Sequence, residues 1–366
     1  MNTRIGGRNA VYFILITILI DTIGFGIIIP VLPQLMMSLT KLTLGEAARY
    51  GGYISLLFAG IQFFSMPVMG NLSDRFGRRP ILLVSLAGLG FDFIVMGLAP
   101  TIAWLFVGRS VSGVLSATYS TASAYIADVT PPEKRAASFG LIGAAFGLGF
   151  VIGPALGGLI AEFAVHPPAS LPAPLVDILH LAGIRAPFFA AACLSLVNVL
   201  YGIFVLPESL PTDRRRPFVI WRANPVGALL HITRYPSVAW MALATFFFYV
   251  AHNVNPAIWT YYVLAKFNWS SGQIGLALGA IGLAMAFVSG ALTGPAVKIL
   301  GERGALNVGF SGAFIGFLIY AFATEGWMLY AAIPVSALMG IAGPAIRGIM
   351  TRHTPPTEQG ELSGAL

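Results

Sequence analysis

The sequence predicts an all-α polytopic membrane protein built as two helical bundles. An apolar composition, a series of long apolar segments separated by short basic ones, and an internal repeat at a fixed offset carry that reading. Of the 366 residues, 57% are hydrophobic and only 10% are charged, whereas a soluble globular domain carries about a quarter charged residues. The net charge of +7 raises nucleic acid as a partner. The placement of the charges answers to a membrane instead, and no nucleic-acid partner is expected.

Ten apolar spans can be read, at 11–33, 51–70, 80–99, 102–126, 136–162, 186–206, 237–262, 273–297, 304–323 and 327–349. Each is close to the ~20 residues that cross a bilayer as a helix. With the N-terminus inside, the inside segments hold 16 of the Lys and Arg residues. The outside segments hold four, Lys41, Arg49, Arg185 and Lys266, and Arg109 falls within a span. The excess of inside cations orients this multi-pass membrane protein with a cytoplasmic N-terminus. Arg4 and Arg8 before the first span resemble a signal peptide. That span is too long for one, contains Asp21 and Pro30, and lacks a small-residue cleavage site, so it is read as a retained helix. The single cysteine, Cys193, excludes an intrachain disulfide and is expected to be a buried thiol.

A shift of 224 residues places Gly70, Gly77 and Arg79 on Gly294, Gly301 and Arg303. It also places Thr130-Pro131-Pro132 on Thr354-Pro355-Pro356, and Gly140 on Gly364. Two distant segments agreeing on one offset indicate a parallel repeat. The domains follow: a six-helix bundle over 1–207, a cytoplasmic linker over 208–236 carrying Arg214-Arg215-Arg216 and Trp221-Arg222, and a second bundle over 237–366. Gly140 opens the fifth helix, so Gly364 should open the eleventh, and about ten helices are expected, with helices eleven and twelve missing. Residues 166–184 are Pro-rich and read as a loop insertion.

The stretch 70–80 joins spans two and three and contains Gly70, Asp74, Arg75, Gly77, Arg78, Arg79 and Pro80. It reads as a tight cytoplasmic turn, with Pro80 at the first position of the outgoing helix. A basic turn does not need an acid, so Asp74 is expected to hold a helix N-terminus or an arginine. Asp21 lies mid-span, where a carboxylate is costly. It either carries a proton or makes a structural hydrogen bond. Asp92 and Arg109 both lie ~10–13 Å from the same membrane face, at 1.5 Å rise per residue. Arg109 therefore needs a partner in Asp21 or Asp92, as a static ion pair or as part of proton coupling. In the fifth span Gly149, Gly153 and Gly157 fall four apart and make a bare stripe for close packing. Pro154 permits a bend, and Gly140 and Gly158 complete the pattern. His252, Asn253, Asn255 and Trp259 cluster around Pro256 and suggest a cavity lining, with Gln62 a weaker member. A plain helix–helix hydrogen bond would also explain the histidine.

These motifs resemble a family. The G-x-L-x-D-R-x-G-R-R turn at Gly70–Arg79, the Asp21-x-x-Gly-x-Gly run followed by Pro30-Val31-Leu32-Pro33, and the G-x8-G-x3-GP-x2-GG spacing are similar to those of the major facilitator superfamily. Within it they resemble drug:proton antiporters of the tetracycline-exporter group. The resemblance implies the major facilitator fold of two six-helix halves rocking about a midplane site. It implies proton-coupled efflux of a small amphipathic drug-like compound, with Asp21, Asp92 and Arg109 coupling the proton, Gly70–Arg79 gating, and the glycines forming the antiporter motif. Residues 271–297 lack the histidine and residues 304–323 the acid that tetracycline exporters carry there, so the resemblance implies proton-coupled export more firmly than tetracycline itself. The alternative on the same fold is a symporter or uniporter for a sugar or other small metabolite. No cofactor or metal is expected; the proton gradient supplies the energy, and the transporter is expected to be a monomer. Without H-E-x-x-H, G-x-S-x-G or a P-loop, no enzyme chemistry has residues to carry it.

Overall fold

The computed structural model describes residues 7–41, 43–168, 171–218, 236–254 and 258–352. Among these residues all regular structure is helical. α1 (Gly7–Ile28) ends just before Pro30, and α2 (Leu32–Thr40) restarts the chain with Pro33 in its first turn. α3 (Leu44–Phe76) and α4 (Arg78–Leu98) follow, then α5 (Ile102–Leu115), α6 (Thr118–Val129), α7 (Pro132–Val165), α8 (Ala173–Ala182) and α9 (Ala186–Phe204). Beyond the linker come α10 (Pro236–Val254), α11 (Thr260–Phe267), α12 (Ser271–Phe287), α13 (Thr293–Phe322), α14 (Gly326–Ala337) and α15 (Ala342–Arg352).

Several expectations change in detail. Residues 70–76 are helical, so the expected loop shrinks to Gly77 alone, at φ +107°. Pro80 is then the third residue of α4, not its first. A Cβ on Gly77 would collide with the Glu208 carboxylate, so both backbone angle and space select glycine there. Gly301, its partner in the repeat, also has positive φ (+70°) and turns the chain within α13. The fourth span is broken at Ser116–Ala117 between α5 and α6, where the Gln62 side-chain amide donates to Ser116 Oγ at 2.8 Å. The Pro-rich insertion contains a helix, α8. Cys193 is exposed on α9 rather than buried.

Among the described residues, seven segments are long and apolar enough to cross a membrane. One of them, Ser271–Phe322, has 52 residues, more than twice the ~20 needed, and turns at Gly301. This is a multi-pass membrane protein.

The chain divides into two compact units, Met1–Ala223 with Trp269–Leu276, and Asn224–Asn268 with Ala277–Leu366. In the first, α1 packs most extensively on α7. The reason is a seam of backbone. Gly149, Gly153 and Gly157 on α7 lie against Leu19, Ile23 and Ile27 on α1, both sets spaced four apart; a Cβ at Gly153 or Gly157 would strike an α1 carbonyl, and one at Gly149 the Thr22 side chain. The other face of the motif meets the start of α12, where Gly158 and Pro154 abut Ser271 and Gly275. Gly140 lies in α7 at a position whose packing is outside the described residues. A buried cluster of Ile14, Ile18, Leu82, Tyr125, Ile126 and Ile142 closes one end of this unit. In the second unit Gly309, Gly312 and Gly316 of α13 give the same close approach to Ala342, Leu338 and Ser336.

Gly157→Ala should force α1 and α7 apart. We expect a loss of about 1–3 kcal/mol, the usual cost of overpacking, read as a lower unfolding temperature in detergent. Gly143→Ala on the same helix, where nothing lies within 4 Å, should leave that temperature unchanged.

Candidate functional site

The first unit holds two clusters of charge. The deeper one is formed where α4 crosses α5. Asp92 is fully buried and Arg109 is 5% exposed, with Arg109 Nε 3.4 Å from Asp92 Oδ2. Arg109 also donates to Met96 Sδ at 3.2 Å, one helical turn from Asp92. Its guanidinium lies over the rings of Phe25 and Phe58, at 5.9 and 5.7 Å. The cation thus lies against one carboxylate, a thioether and two ring faces, but its contact with Asp92 is an ion pair without a hydrogen bond: Arg109 Nε and both Asp92 oxygens are buried with no hydrogen-bond partner. Gly108 makes the room: a Cβ there would fall 2.5 Å from Asp92 Oδ1. Of the two acids that could pair Arg109, the structure uses Asp92.

Asp21 is half-buried on α1, beside Thr118 at the start of α6. Its Oδ1 is sealed from solvent and has no hydrogen-bond partner. Asp21 and Phe25 are four apart and share a helix face, so the ring over Arg109 and the acid lie on one stripe. Asn198 serves a structural purpose, its buried side-chain amide donating to the Thr17 carbonyl at 2.9 Å.

The second cluster sits at the Gly77 turn. Arg78 bridges Asp74 at 2.6 Å and Asp128 at 3.0 Å, and donates to Ser73 Oγ at 2.6 Å. Asp74 thus holds an arginine, one of the two expectations for it. Around this knot wraps a segment that sequence reasoning missed. Glu208 Oε1 accepts from the backbone N–H of Arg78 at 2.9 Å and of Leu210 at 3.0 Å, and Oε2 from that of Arg79 at 3.3 Å. The carboxylate therefore caps the N-terminus of α4, where unpaired N–H groups and the helix dipole favour an anion. Ser209 donates to Asp128 at 3.1 Å, Tyr125 to the Pro207 carbonyl at 3.0 Å, and the Arg216 backbone N–H to the Asp74 carbonyl at 3.0 Å. Arg79 donates to the carbonyls of Gly202 and Ile203 at the end of α9. Arg75 instead lies over the Phe76 ring, and Gly70 has open space around it. The available signal was an acid placed directly after an apolar span.

His252 stacks on Phe248, with ring centroids 6.0 Å apart. Asn253 is exposed, and its amide returns to the Tyr249 carbonyl of its own helix at 2.8 Å. Trp259 is buried, and Asn255 lies outside the described residues. No group of three or more His, Cys, Asp or Glu suited to a metal occurs among the described residues.

A glycine-seamed helical membrane fold with an ion pair buried in its apolar bundle is the architecture of a multi-pass membrane protein and fits a transporter. The chain belongs to the Major Facilitator Superfamily, whose profile matches residues 14–366. It is 37% identical to the class C tetracycline resistance protein of Escherichia coli over 98% of this chain and 85% of that protein. It is 34% identical to the class G tetracycline resistance protein of Vibrio anguillarum, over 98% and 86%. Among solved structures, the human organic anion transporter MFSD10 superposes with a TM-score of 0.68 at 23% identity, over 98% of this chain and 89% of that one. The protein is therefore a transporter of small molecules and not an enzyme.

Glu208→Ala strips an acceptor from three backbone N–H groups. The expected cost is about 1–3 kcal/mol, measured as a lower melting temperature by circular dichroism in detergent. Glu208→Gln, which keeps one acceptor oxygen, should recover part of it.

Proposed function

We propose that this chain exports a small amphipathic drug-like compound, tetracycline-like or other, in exchange for protons by alternating access. On this reading it is a monomer in the bacterial inner membrane with its N-terminus in the cytoplasm, and the proton gradient is its only energy source. The observation that supports the reading best is the trio Asp21, Asp92 and Arg109 inside one apolar bundle.

The physics is that of charge in a medium that cannot solvate it. Ionised Asp92 is balanced by Arg109. Once Asp92 takes up a proton, the guanidinium keeps only Met96 and two ring faces, none of which carries a full charge. Arg109 then favours the next acid, and Asp21 stands on the Phe25 face with an unsatisfied oxygen. A proton that exchanges one arginine partner for another changes which conformation is stable, and a ligand that prefers one conformation is thereby coupled to it. The relatives named tetracycline resistance proteins support a drug-like substrate. So does the α7 glycine spacing, which the antiporters it resembles share.

The test is substrate-driven proton release in inverted membrane vesicles, with a panel of amphipathic drugs that includes tetracycline. The native chain should release protons with at least one compound, and Asp21→Asn should reduce that release to background at normal membrane insertion. Absence of exchange across the panel from a well-inserted protein would sink drug export and leave a metabolite carrier. Gly108→Ala should push Asp92 off Arg109 and cut transport at least about tenfold, the effect of ~1.4 kcal/mol on a rate, with insertion again unaffected.

A further inference from the structure

The α8 helix is used by neither charge cluster. It presents three distinct stripes. Val176, Leu179 and Ala182 are half-buried, and α8 packs on α7. Asp177 and His180 are exposed and polar. Between the packed and polar stripes, at spacings of three, stand Leu175, Ile178 and Leu181, exposed by 49%, 61% and 90%. A leucine 90% exposed beside two more apolar side chains is unfavourable in water.

The depth of this helix is set by an anchor. Arg185, two residues past Gly183, where positive φ (+49°) ends α8, donates to the Gly97 carbonyl at 2.8 Å. That carbonyl belongs to the last turn of α4, so Arg185 both pairs an orphan helix-end acceptor and complements the dipole. The 21 residues of α4 rise about 30 Å, the thickness of the hydrocarbon core. Gly97 therefore marks the membrane boundary opposite the Arg78 cluster, and α8, immediately before Arg185, is held at that level. The neighbouring end of α7 also turns apolar residues outward, with Phe163 and Val165 about half exposed. The stripe thus continues a surface that faces lipid.

We infer that α8 is an interfacial helix, with Leu175, Ile178 and Leu181 seated among the lipids at that boundary while Asp177 and His180 face water. The lipid it fits is zwitterionic. The exposed faces of α8 carry no Lys or Arg, so insertion rests on apolar burial and needs no anionic headgroup. This holds whatever compound is transported, and places a lipid contact beside the end of α7, whose glycine seam joins α1.

The experiment is site-directed spin labelling of the full chain in phosphatidylcholine liposomes. Cys193→Ser first removes the native thiol, and cysteines are then introduced singly at 175, 178 and 181, and at 177 and 180. All five sites are exposed, so labels there do not disturb the core. Labels at the first three should collide with oxygen several-fold more often than with a water-soluble nickel chelate, and labels at the last two should show the reverse. Adding phosphatidylglycerol should leave that pattern unchanged. Chelate access equal at all five sites would overturn the inference in favour of a helix standing in water. Spin–spin broadening confined to the apolar stripe would overturn it in favour of a second copy covering the stripe.

Discussion

A cation inside a hydrocarbon layer must be answered by protein, because no water is there to do it. Arg109 is that cation, and much of the first bundle follows from satisfying it. Asp92 supplies the counter-charge, Met96 an acceptor one turn away, and Phe25 and Phe58 two ring faces. Gly108 sits where any larger residue would displace the carboxylate. Such a pair is poor glue, since its attraction scarcely offsets the cost of desolvating both charges. On the proposed antiport mechanism its value lies in being conditional on a proton.

The remaining architecture holds backbone close to backbone without a hydrophobic driving force between helices. Lipid tails are as apolar as leucine, so helices gain by packing tightly rather than by leaving water. The α1–α7 seam does this with Gly149, Gly153 and Gly157 against three carbonyls, and α13 repeats the device with Gly309, Gly312 and Gly316. At the Gly77 turn the problem is different, because helix ends expose N–H and C=O groups. There Glu208 caps α4, Arg79 caps α9, and Arg78 ties Asp74 to Asp128. The start of the linker is thereby part of the bundle.

The class of fold was legible because its causes are compositional. Span length, cation placement and glycine spacing each leave a one-dimensional trace. The repeat was legible too, and Gly77 and Gly301, 224 residues apart, share positive φ because the same turn recurs. Boundaries were less so. Residues 70–76 look polar enough for a loop, yet they continue α3, since their side chains find partners around Arg78. The break at Ser116 left no proline or glycine at that point to announce it. Asn253 read as a cavity residue, and its amide bonds the Tyr249 carbonyl of its own helix, a contact that composition does not reveal.

The sequence by itself determined that this chain crosses a membrane many times, which residues carry charge into it, and where the backbone can pass close. Those follow from the transfer free energies of side chains and from the presence or absence of a Cβ, which are properties of single residues. Only the tertiary structure decided that Arg109 takes Asp92 and leaves Asp21 with an unpaired oxygen, that Glu208 caps a helix 130 residues earlier, and that α8 packs on α7 with an apolar stripe left exposed. Each of these depends on which groups, far apart along the chain, share one small volume of low dielectric, and pairing at that distance is a property of packing.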